Sequence, residues 1–303
     1  MPKIFINLIT FNDNASTNEC LESLEELNKK DFELFVNVVD NASNEKFESK
    51  REYKNFKLNV LYSKKNLGFS GGQNLGLRYA LENNADYIVI LNNDVYVGKD
   101  LIIELLNSFK DLGVGAVSPK IYFAKGYEYH KDRYSEKELG NVFWYAGGQI
   151  DWKNIFGNHR GVDEVDKGQF DKTEETEVAT GCCMMVKRDV LETVGLFNEN
   201  FFLYYEDADL SMRIKDKGFK ILYEPKAILW HKNAAATGSG SPLQDYYITR
   251  NRLIFGFKYA SVRVKLALFK ESLKIFILGR AWQKAGVRDF YLKKLGSGSY
   301  IKS

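Results

Sequence analysis

The densest chemistry in this chain lies in Phe201-Phe202-Leu203-Tyr204-Tyr205-Glu206-Asp207-Ala208-Asp209-Leu210, where three carboxylates fall within four residues after an aromatic run. Carboxylates so close repel and raise one another's pKa, so the cluster is costly unless a metal, a cation or a proton-transfer task holds it. Twenty-two residues past Asp209, Trp230-His231 supplies one of three histidines. Earlier, the apolar run Tyr87-Ile88-Val89-Ile90-Leu91 ends in Asn92-Asn93-Asp94. A strand ending in a carboxylate, an aromatic-flanked acidic cluster and a histidine outline a metal-assisted transfer enzyme. If Asp207 begins a helix, Glu206 and Asp209 cannot both point with it into one pocket. One carboxylate is then expected as general base, the others as caps or orienting groups. An acidic first turn facing the helix dipole accounts for the acids but not for the aromatics before them. Asp94 and His231 suit a hard divalent cation, Mg2+ or Mn2+, with phosphate oxygens and water in its other positions.

The elements that must position these groups read as βαβ units over the first 120 residues. Strands are expected at 4–10, 35–39, 58–62 and 87–91, and each is followed by polar residues. Thr10 and Asn12 follow the first, Asp40-Asn41-Ala42-Ser43 the second, Asn66-Leu67-Gly68 the third and Asn92-Asn93-Asp94 the fourth. Ligands of open α/β sheets bind beyond the carboxyl ends of the strands. A single Asp there is usually a turn former, but in this company Asp40 is placed to accept a ring N–H of a pyrimidine base. The run Gly68-Phe69-Ser70-Gly71-Gly72-Gln73-Asn74-Leu75-Gly76 lacks the GxGxxG spacing and the P-loop lysine, which argues against a nicotinamide-dependent oxidoreductase. It still lets backbone approach a ligand at a helix N-terminus.

Ser16 or Thr17 is a candidate cap for a helix carrying Cys20, Leu21, Leu24 and Leu27. Further helices are expected at about 74–83, 101–109, 188–194 and 207–217, and from 246 onward; further strands at 116–123, 184–186, 219–223 and 227–230. Residues 124–142, charged and Tyr-rich, read as a mobile loop, Gly147-Gly148 and 156–173 as loops, and 237–241 as a flexible Gly/Ser segment.

With 303 residues and 45% hydrophobic content the chain can bury a full core. Three cysteines, two of them adjacent at Cys182-Cys183, make no disulfide framework and suit a reducing compartment. Residues 1–9 lack a signal-peptide pattern and no run of about 18 apolar residues occurs, so a cytoplasmic protein is expected. From Lys258 to Ser303 there are 11 Lys or Arg against Glu271 and Asp289; the rest of the chain carries 32 basic and 38 acidic residues. The basic tail interleaves apolar groups with Lys265, Lys270, Lys274, Arg280 and Lys284, the pattern of an interfacial helix drawn to anionic lipid. A helix packed on the body with a solvated basic face is the alternative. No nucleic-acid-binding module accompanies the charge.

Taken in order over residues 3–256, Leu8-Ile9-Thr10-Phe11-Asn12, Val38-Val39-Asp40-Asn41-Ala42-Ser43, 66–76, 91–94, 181–185, Gly195-Leu196-Phe197, 201–210, Trp230-His231 and 246–251 make a pattern. It resembles the inverting glycosyltransferases of family 2, most closely their rhamnosyltransferase-like branch. The resemblance implies the α/β GT-A fold, a Rossmann-like nucleotide-diphospho-sugar transferase domain over 1–257. Its mixed, mostly parallel sheet is flanked by helices, with a nucleotide-sugar half at about 1–120 and an acceptor half at about 143–257. A helical basic extension, 258–303, follows.

It also implies a nucleotide-sugar donor held by Thr10, Asn12, Asp40, Asn41, Ser43, Asn66, Gly68, Gly72, Asn74, Asn92 and Asn93. Asp94 and His231 would hold Mg2+ or Mn2+, and Asp207 would be the base that deprotonates an acceptor hydroxyl. Gly181, Glu206, Trp230, Arg250 and Asn251 are implied contacts of acceptor or phosphate. One departure from the family's Asp-x-Asp metal motif is Asn92 at its first position. The expected activity is transfer of a sugar, with dTDP-L-rhamnose the first donor considered, to a lipid-linked or surface-polysaccharide acceptor at the inner face of the membrane. UDP-Gal, galactofuranose and GlcNAc donors, GDP-mannose, a retaining or hydrolytic nucleotide-sugar enzyme, and a catalytically silent nucleotide-sugar-binding scaffold are the alternatives. A homodimer is a further expected partner state.

Overall fold

A computed structural model describes residues 1–232 and 240–300. The first half alternates β1 (Lys3–Thr10), α1 (Asn14–Glu25), β2 (Glu33–Asp40), β3 (Lys57–Tyr62), α2 (Gly68–Glu82), β4 (Tyr87–Leu91), β5 (Val95–Val97), α3 (Leu101–Asn107) and β6 (Val114–Phe123). Short strands follow: β7 (Phe143–Tyr145), β8 (Gly148–Asp151), β9 (Phe156–His159) and β10 (Glu174–Glu175). The second half is β11 (Cys183–Lys187), α4 (Arg188–Val194), α5 (Glu206–Asp216), β12 (Lys220–His231), α6 (Pro242–Tyr259), α7 (Val262–Leu278) and α8 (Ala281–Tyr291).

Among the described residues the main sheet has the path β10-β12-β6-β11-β4-β1-β2-β3, with β5 paired to β12 and β7 to β6. Strands β3, β2, β1 and β4 run parallel, as does β12 with β6, while β11 lies antiparallel between β4 and β6. Alternation along β1 explains the layers: Ile4, Ile6 and Leu8 pack with α1 and α3, and Phe5 packs with the face covered by α2, α4 and α5. Burial on both faces is why these strands read as nearly unbroken apolar runs.

Several boundaries differ from expectation. The cap of α1 is Asp13, whose side chain accepts the Ser16 N–H, so Ser16 and Thr17 lie inside the helix. Helix α2 begins at Gly68, not near Asn74, because the glycines are its packing surface. A Cβ at Gly72 would stand 2.4 Å from Ile9 Cδ1, and one at Gly76 would stand 1.6 Å from Asn7 Oδ1. The two strands expected at 219–223 and 227–230 are one, β12, with a register shift between Glu224 and Ile228. Pro225 lies at that shift and has no N–H for a ladder bond.

Residues 124–142 are anchored rather than free. Glu128, 5% exposed, accepts the Gly126 and Gly140 N–H groups, and the Tyr134 hydroxyl donates to the Asp163 carbonyl. The segment 156–173 contains β9, which forms a hairpin with β8 beginning at Gly148. The Gly/Ser stretch 237–241 lies mostly outside the described residues. The expected boundary at 257/258 falls within α6, whose last turn is bonded to α5 through Lys258 and Tyr259. All three cysteines are free and buried.

Candidate active site

Register alone brings the first two strand-end groups together. Thr10 pairs with Asp40 at the carboxyl ends of β1 and β2, and both are buried. Asp40 accepts the Ser43 N–H at 2.8 Å and the Phe47 N–H at 2.8 Å, so its carboxylate shapes the loop that follows it. Asn12 and Ser43 lock that loop to the end of β1, the Asn12 N–H donating to Ser43 Oγ and the Asn44 N–H to Asn12 Oδ1. Asn41 donates through Nδ2 to Asn66 Oδ1 and the Gly68 carbonyl, and accepts the Leu67 N–H. Thr10, Asn12, Asp40, Asn41, Ser43, Asn66 and Gly68 therefore gather at one sheet end.

Gly72 and Asn74 lie elsewhere. Gly72 packs on β1, and Asn74 donates to the Phe197 carbonyl and Glu199 while accepting the Phe197 N–H. Both are interior to the packing of α2.

The 92–94 turn is held from two sides. The Asn92 N–H donates to the Cys182 carbonyl, and Asn93 Nδ2 donates to Thr17 Oγ1 on α1. Asp94 Oδ1 lies 3.2 Å from His231 Nε2, brought there by antiparallel pairing of β5 with β12. The His231 ring stacks edgewise on Trp144 at 4.6 Å, and its buried Nδ1 has no hydrogen-bond partner. Two atoms 3.2 Å apart fit adjacent positions on one ion, since bonds of about 2.1 Å at right angles span roughly 3 Å. Among the described residues no group of three His, Cys, Asp or Glu side chains could hold a metal, so the pair leaves most positions to other ligands. Burial and the nearby Asp94 charge push the Cys182 and Cys20 thiols up, keeping them protonated and poor ligands.

The three carboxylates of the acidic cluster take three environments. Asp209, fully buried, accepts from Arg213, Lys258 and the Tyr259 hydroxyl and ties α5 to α6. Glu206, 5% exposed, has an Oε2 without a partner; burial, then the Asp207 charge, holds its pKa well above the usual range. Asp207 is only partly buried. Its Oδ2 accepts the Gly181 N–H at 3.0 Å and its Oδ1 the Ala208 N–H at 2.8 Å. Burial raises its pKa, and those N–H groups offset part of the rise. Of the three, Asp207 is the carboxylate neither ion-paired nor turned inward. Glu206, expected as a contact of acceptor or phosphate, turns inward.

Three further expected contacts find other partners. Trp230 donates its Nε1–H to the Gly140 carbonyl and stacks on Tyr122, fixing the 124–142 segment. Arg250 and Asn251, both fully buried, face the turn before Asp207. Arg250 Nη2 donates to the Asn200 and Phe201 carbonyls, and Asn251 Nδ2 to those of Phe201, Leu203 and Tyr204. Phosphate or acceptor contact by either would require these bonds to break.

That turn is conformationally expensive. Phe202, Tyr204 and Tyr205 have φ of 66°, 71° and 73°, the left-handed region that costs an L-residue roughly 1–2 kcal/mol each. Five hydrogen bonds at about 1 kcal/mol each are of the same order. Gly68, at φ 70°, completes the packing: a Cβ there would stand 2.4 Å from the Phe202 carbonyl oxygen.

Two contributors escaped the sequence reading. Trp144 braces His231, and Lys232, paired with Glu19 and seated 4.7 Å over the Tyr96 ring, donates its N–H to the Asp94 carbonyl. Only adjacency to His231 hinted at Lys232; nothing in the sequence singled out Trp144.

A mostly parallel sheet with an inserted antiparallel strand, strand-end polar loops and an acidic helix start define a GT-A glycosyltransferase. Residues 6–195 match Glycosyl transferase family 2, and the chain belongs to that family. It is 28% identical over 185 residues to the low-salt glycan biosynthesis hexosyltransferase Agl10 of Haloferax volcanii, covering 61% of this chain and 54% of that one. It is 23% identical over 261 residues to the dTDP-rhamnosyl transferase RfbF of Shigella flexneri, covering 83% and 79% respectively. The chain thus spans about half the length of Agl10. Its fold is similar to that of GalNAc-T7, solved with UDP, GalNAc and Mn2+, at a TM-score of 0.63 and 13% identity over 96% of this chain and 54% of that one.

Proposed function

We propose that this chain is a metal-dependent, inverting glycosyltransferase that moves a hexose from a nucleotide-diphosphate sugar to a hydroxyl of a lipid-linked or surface-polysaccharide acceptor. The single observation carrying this reading is the isolation of Asp207, held by Gly181 beside the turn bearing Asp94, while its two acidic neighbours are occupied or turned inward. In this reading Asp207 takes the acceptor hydroxyl proton as the oxygen attacks the anomeric carbon opposite the leaving diphosphate, which inverts that centre. Asp94 and His231 hold Mg2+ or Mn2+, which when bound neutralises charge on the diphosphate. Asp40 accepts a ring N–H of the base, with Thr10, Asn12, Asn41, Ser43 and Asn66 around the nucleoside. Similarity to RfbF makes dTDP-L-rhamnose the first donor to test.

The reaction is proposed for the cytoplasmic face of a membrane, with α7 as the contact. Val262, Leu266, Phe269, Leu273 and Phe276 form one exposed stripe along that helix, flanked by Arg263, Lys265, Lys270 and Lys274. Of its seventeen residues only Leu268 and Ser272 are buried. No described helix is long and apolar enough to cross a membrane. An apolar stripe between cations suits anionic lipid, whereas the same face of a second copy would bring like charges together.

A thermal-shift screen of nucleotide diphosphates and nucleotide sugars, with and without Mn2+, tests the donor site. A metal-dependent shift with one nucleotide, lost in Asp40→Ala and Asp94→Ala, supports the reading and names the base. No shift with any of them sinks it.

A further inference from the structure

We propose that Arg250 and Asn251 are positioning residues of the transfer reaction: from α6 they hold the left-handed Phe202–Tyr205 turn in the one shape that aims Asp207. The inference rests on the reading of Asp207 as base.

The geometry behind it is specific. A turn with three bulky residues at positive φ does not persist on its own preferences and needs its surroundings to over-determine it. Its carbonyls at 200, 201, 203 and 204 all point at α6, and each accepts from Arg250 or Asn251. The Phe201 oxygen alone accepts from Arg250, Asn251 and the Leu203 N–H. Arg250 is in turn fixed by its Nε–H bond to Asn251 Oδ1, and it lies over the Tyr246 and Tyr247 rings at 5.2 and 5.0 Å.

The C-terminal segment closes this cage. The Tyr246 hydroxyl donates to buried Asp289, the Ser299 N–H donates to both, and the Gly296 N–H donates to the same Asn200 carbonyl that Arg250 holds. A Cβ at Gly298 would stand 1.8 Å from the Tyr246 hydroxyl oxygen. Residues some 90 positions beyond Asp207 in the chain thus brace the backbone that presents it.

The bonds made by Arg250 and Asn251 fall on the turn that presents Asp207 and not on the strand-end groups of the donor site. Thr10, Asn12, Asp40, Asn41, Ser43 and Asn66 lie at or just beyond the ends of β1 and β2 and in the 63–67 connection and share no hydrogen bond with Arg250 or Asn251, while α2 meets the turn only from its far side, where the Ser70 N–H donates to the Phe202 carbonyl. Loosening the clamp should misplace the carboxylate while leaving the nucleotide site formed. Misplacement of about 1 Å is enough to cost about a hundredfold in rate.

The test compares Asn251→Ala, Arg250→Lys and Asp207→Asn in the full chain, measuring kcat, donor KM, the Mn2+-dependent nucleotide thermal shift and the pH dependence of kcat. The expected result is a fall in kcat of about 10–100-fold for Asn251→Ala, with donor KM and thermal shift kept and the pH limb displaced. Arg250→Lys, which keeps the charge but only one donor nitrogen, is expected to fall less, and it carries the same kcat-against-KM comparison if Asn251→Ala does not fold. A dead Asp207→Asn beside an Asn251→Ala and Arg250→Lys of unchanged kcat overturns the clamp alone. Loss of kcat and nucleotide binding in equal proportion shows a merely structural role and overturns it too. Full turnover in Asp207→Asn overturns the base assignment, and the clamp with it.

Discussion

Gly181 donates its backbone N–H to Asp207 Oδ2 at 3.0 Å, and the next residue's carbonyl accepts the Asn92 N–H. One short segment before β11 thereby holds the proposed base on one side and the proposed metal turn on the other. Gly181 can do this because nothing projects from its Cα: a Cβ would lie 3.2 Å from the Phe69 ring and 3.7 Å from Asp207 Cβ.

Asp207→Asn should lower kcat by about 10²–10⁴-fold while leaving donor KM within a few fold. Burial raises the Asp207 pKa, so in the wild type kcat should rise with pH through a limb above the ordinary Asp range, as the carboxyl loses its proton. Steady-state rates across pH 4–9 (roughly the span over which carboxylates and histidines titrate) should show that limb in the wild type and none in the variant.

Removal of divalent metal with a chelator should abolish turnover, and Mn2+ or Mg2+ should restore it. Asp94→Ala and His231→Ala should each lose the metal-dependent part of nucleotide stabilisation, the whole of which is about 2.7 kcal/mol at a ligand concentration 100 times Kd. Calorimetric titration of Mn2+ in the presence of nucleotide checks this, and undiminished binding in both variants would remove the pair as ligands.

Glu206 offers a stability test independent of activity. Its folded pKa is raised, so the folded state binds its proton more tightly than the unfolded chain does. The contribution is therefore fully present below the unfolded pKa and is lost as pH rises through the folded one. Glu206→Gln, neutral at every pH, should raise the melting temperature at pH near 8 and change it little near pH 4 (about the free Glu pKa). A variant destabilised equally at both would contradict the inward, protonated assignment.

For α7, the pair Leu266→Glu and Phe276→Glu should cut co-sedimentation with phosphatidylserine vesicles by tenfold or more, since each buried large apolar side chain contributes about 1.5–3 kcal/mol. Both positions are exposed, so folding and turnover on a water-soluble acceptor should be retained. Deleting 258–303 would be a poor test, because that segment also closes the cage around Arg250. Unchanged vesicle binding, with a wild-type dimer that the substitutions split, would assign the face to a second copy instead.

Much of the framework is legible from local pattern. The parallel strands announce themselves as apolar runs, and the strand-end positions of Thr10, Asp40, Asn66 and Asp94 follow from period and punctuation. Helix α4 was readable to its ends. The start of α2 was not, because a glycine-rich run looks like a loop until the neighbour it packs on is known. Likewise, two strands are expected at 219–223 and 227–230 where β12 passes through one irregularity around Pro225.

By itself the sequence determined which groups could do chemistry and at which strand ends they lie, since side-chain type and hydrophobic period are local properties. Only the tertiary structure decided what each group is free to do. It occupies Asp209 with two cations and a hydroxyl, strands Glu206 inside the protein, and turns Arg250 and Asn251 toward backbone carbonyls across some 50 residues of chain. Burial and partner geometry are relations between distant segments, so no local pattern of residue types encodes them.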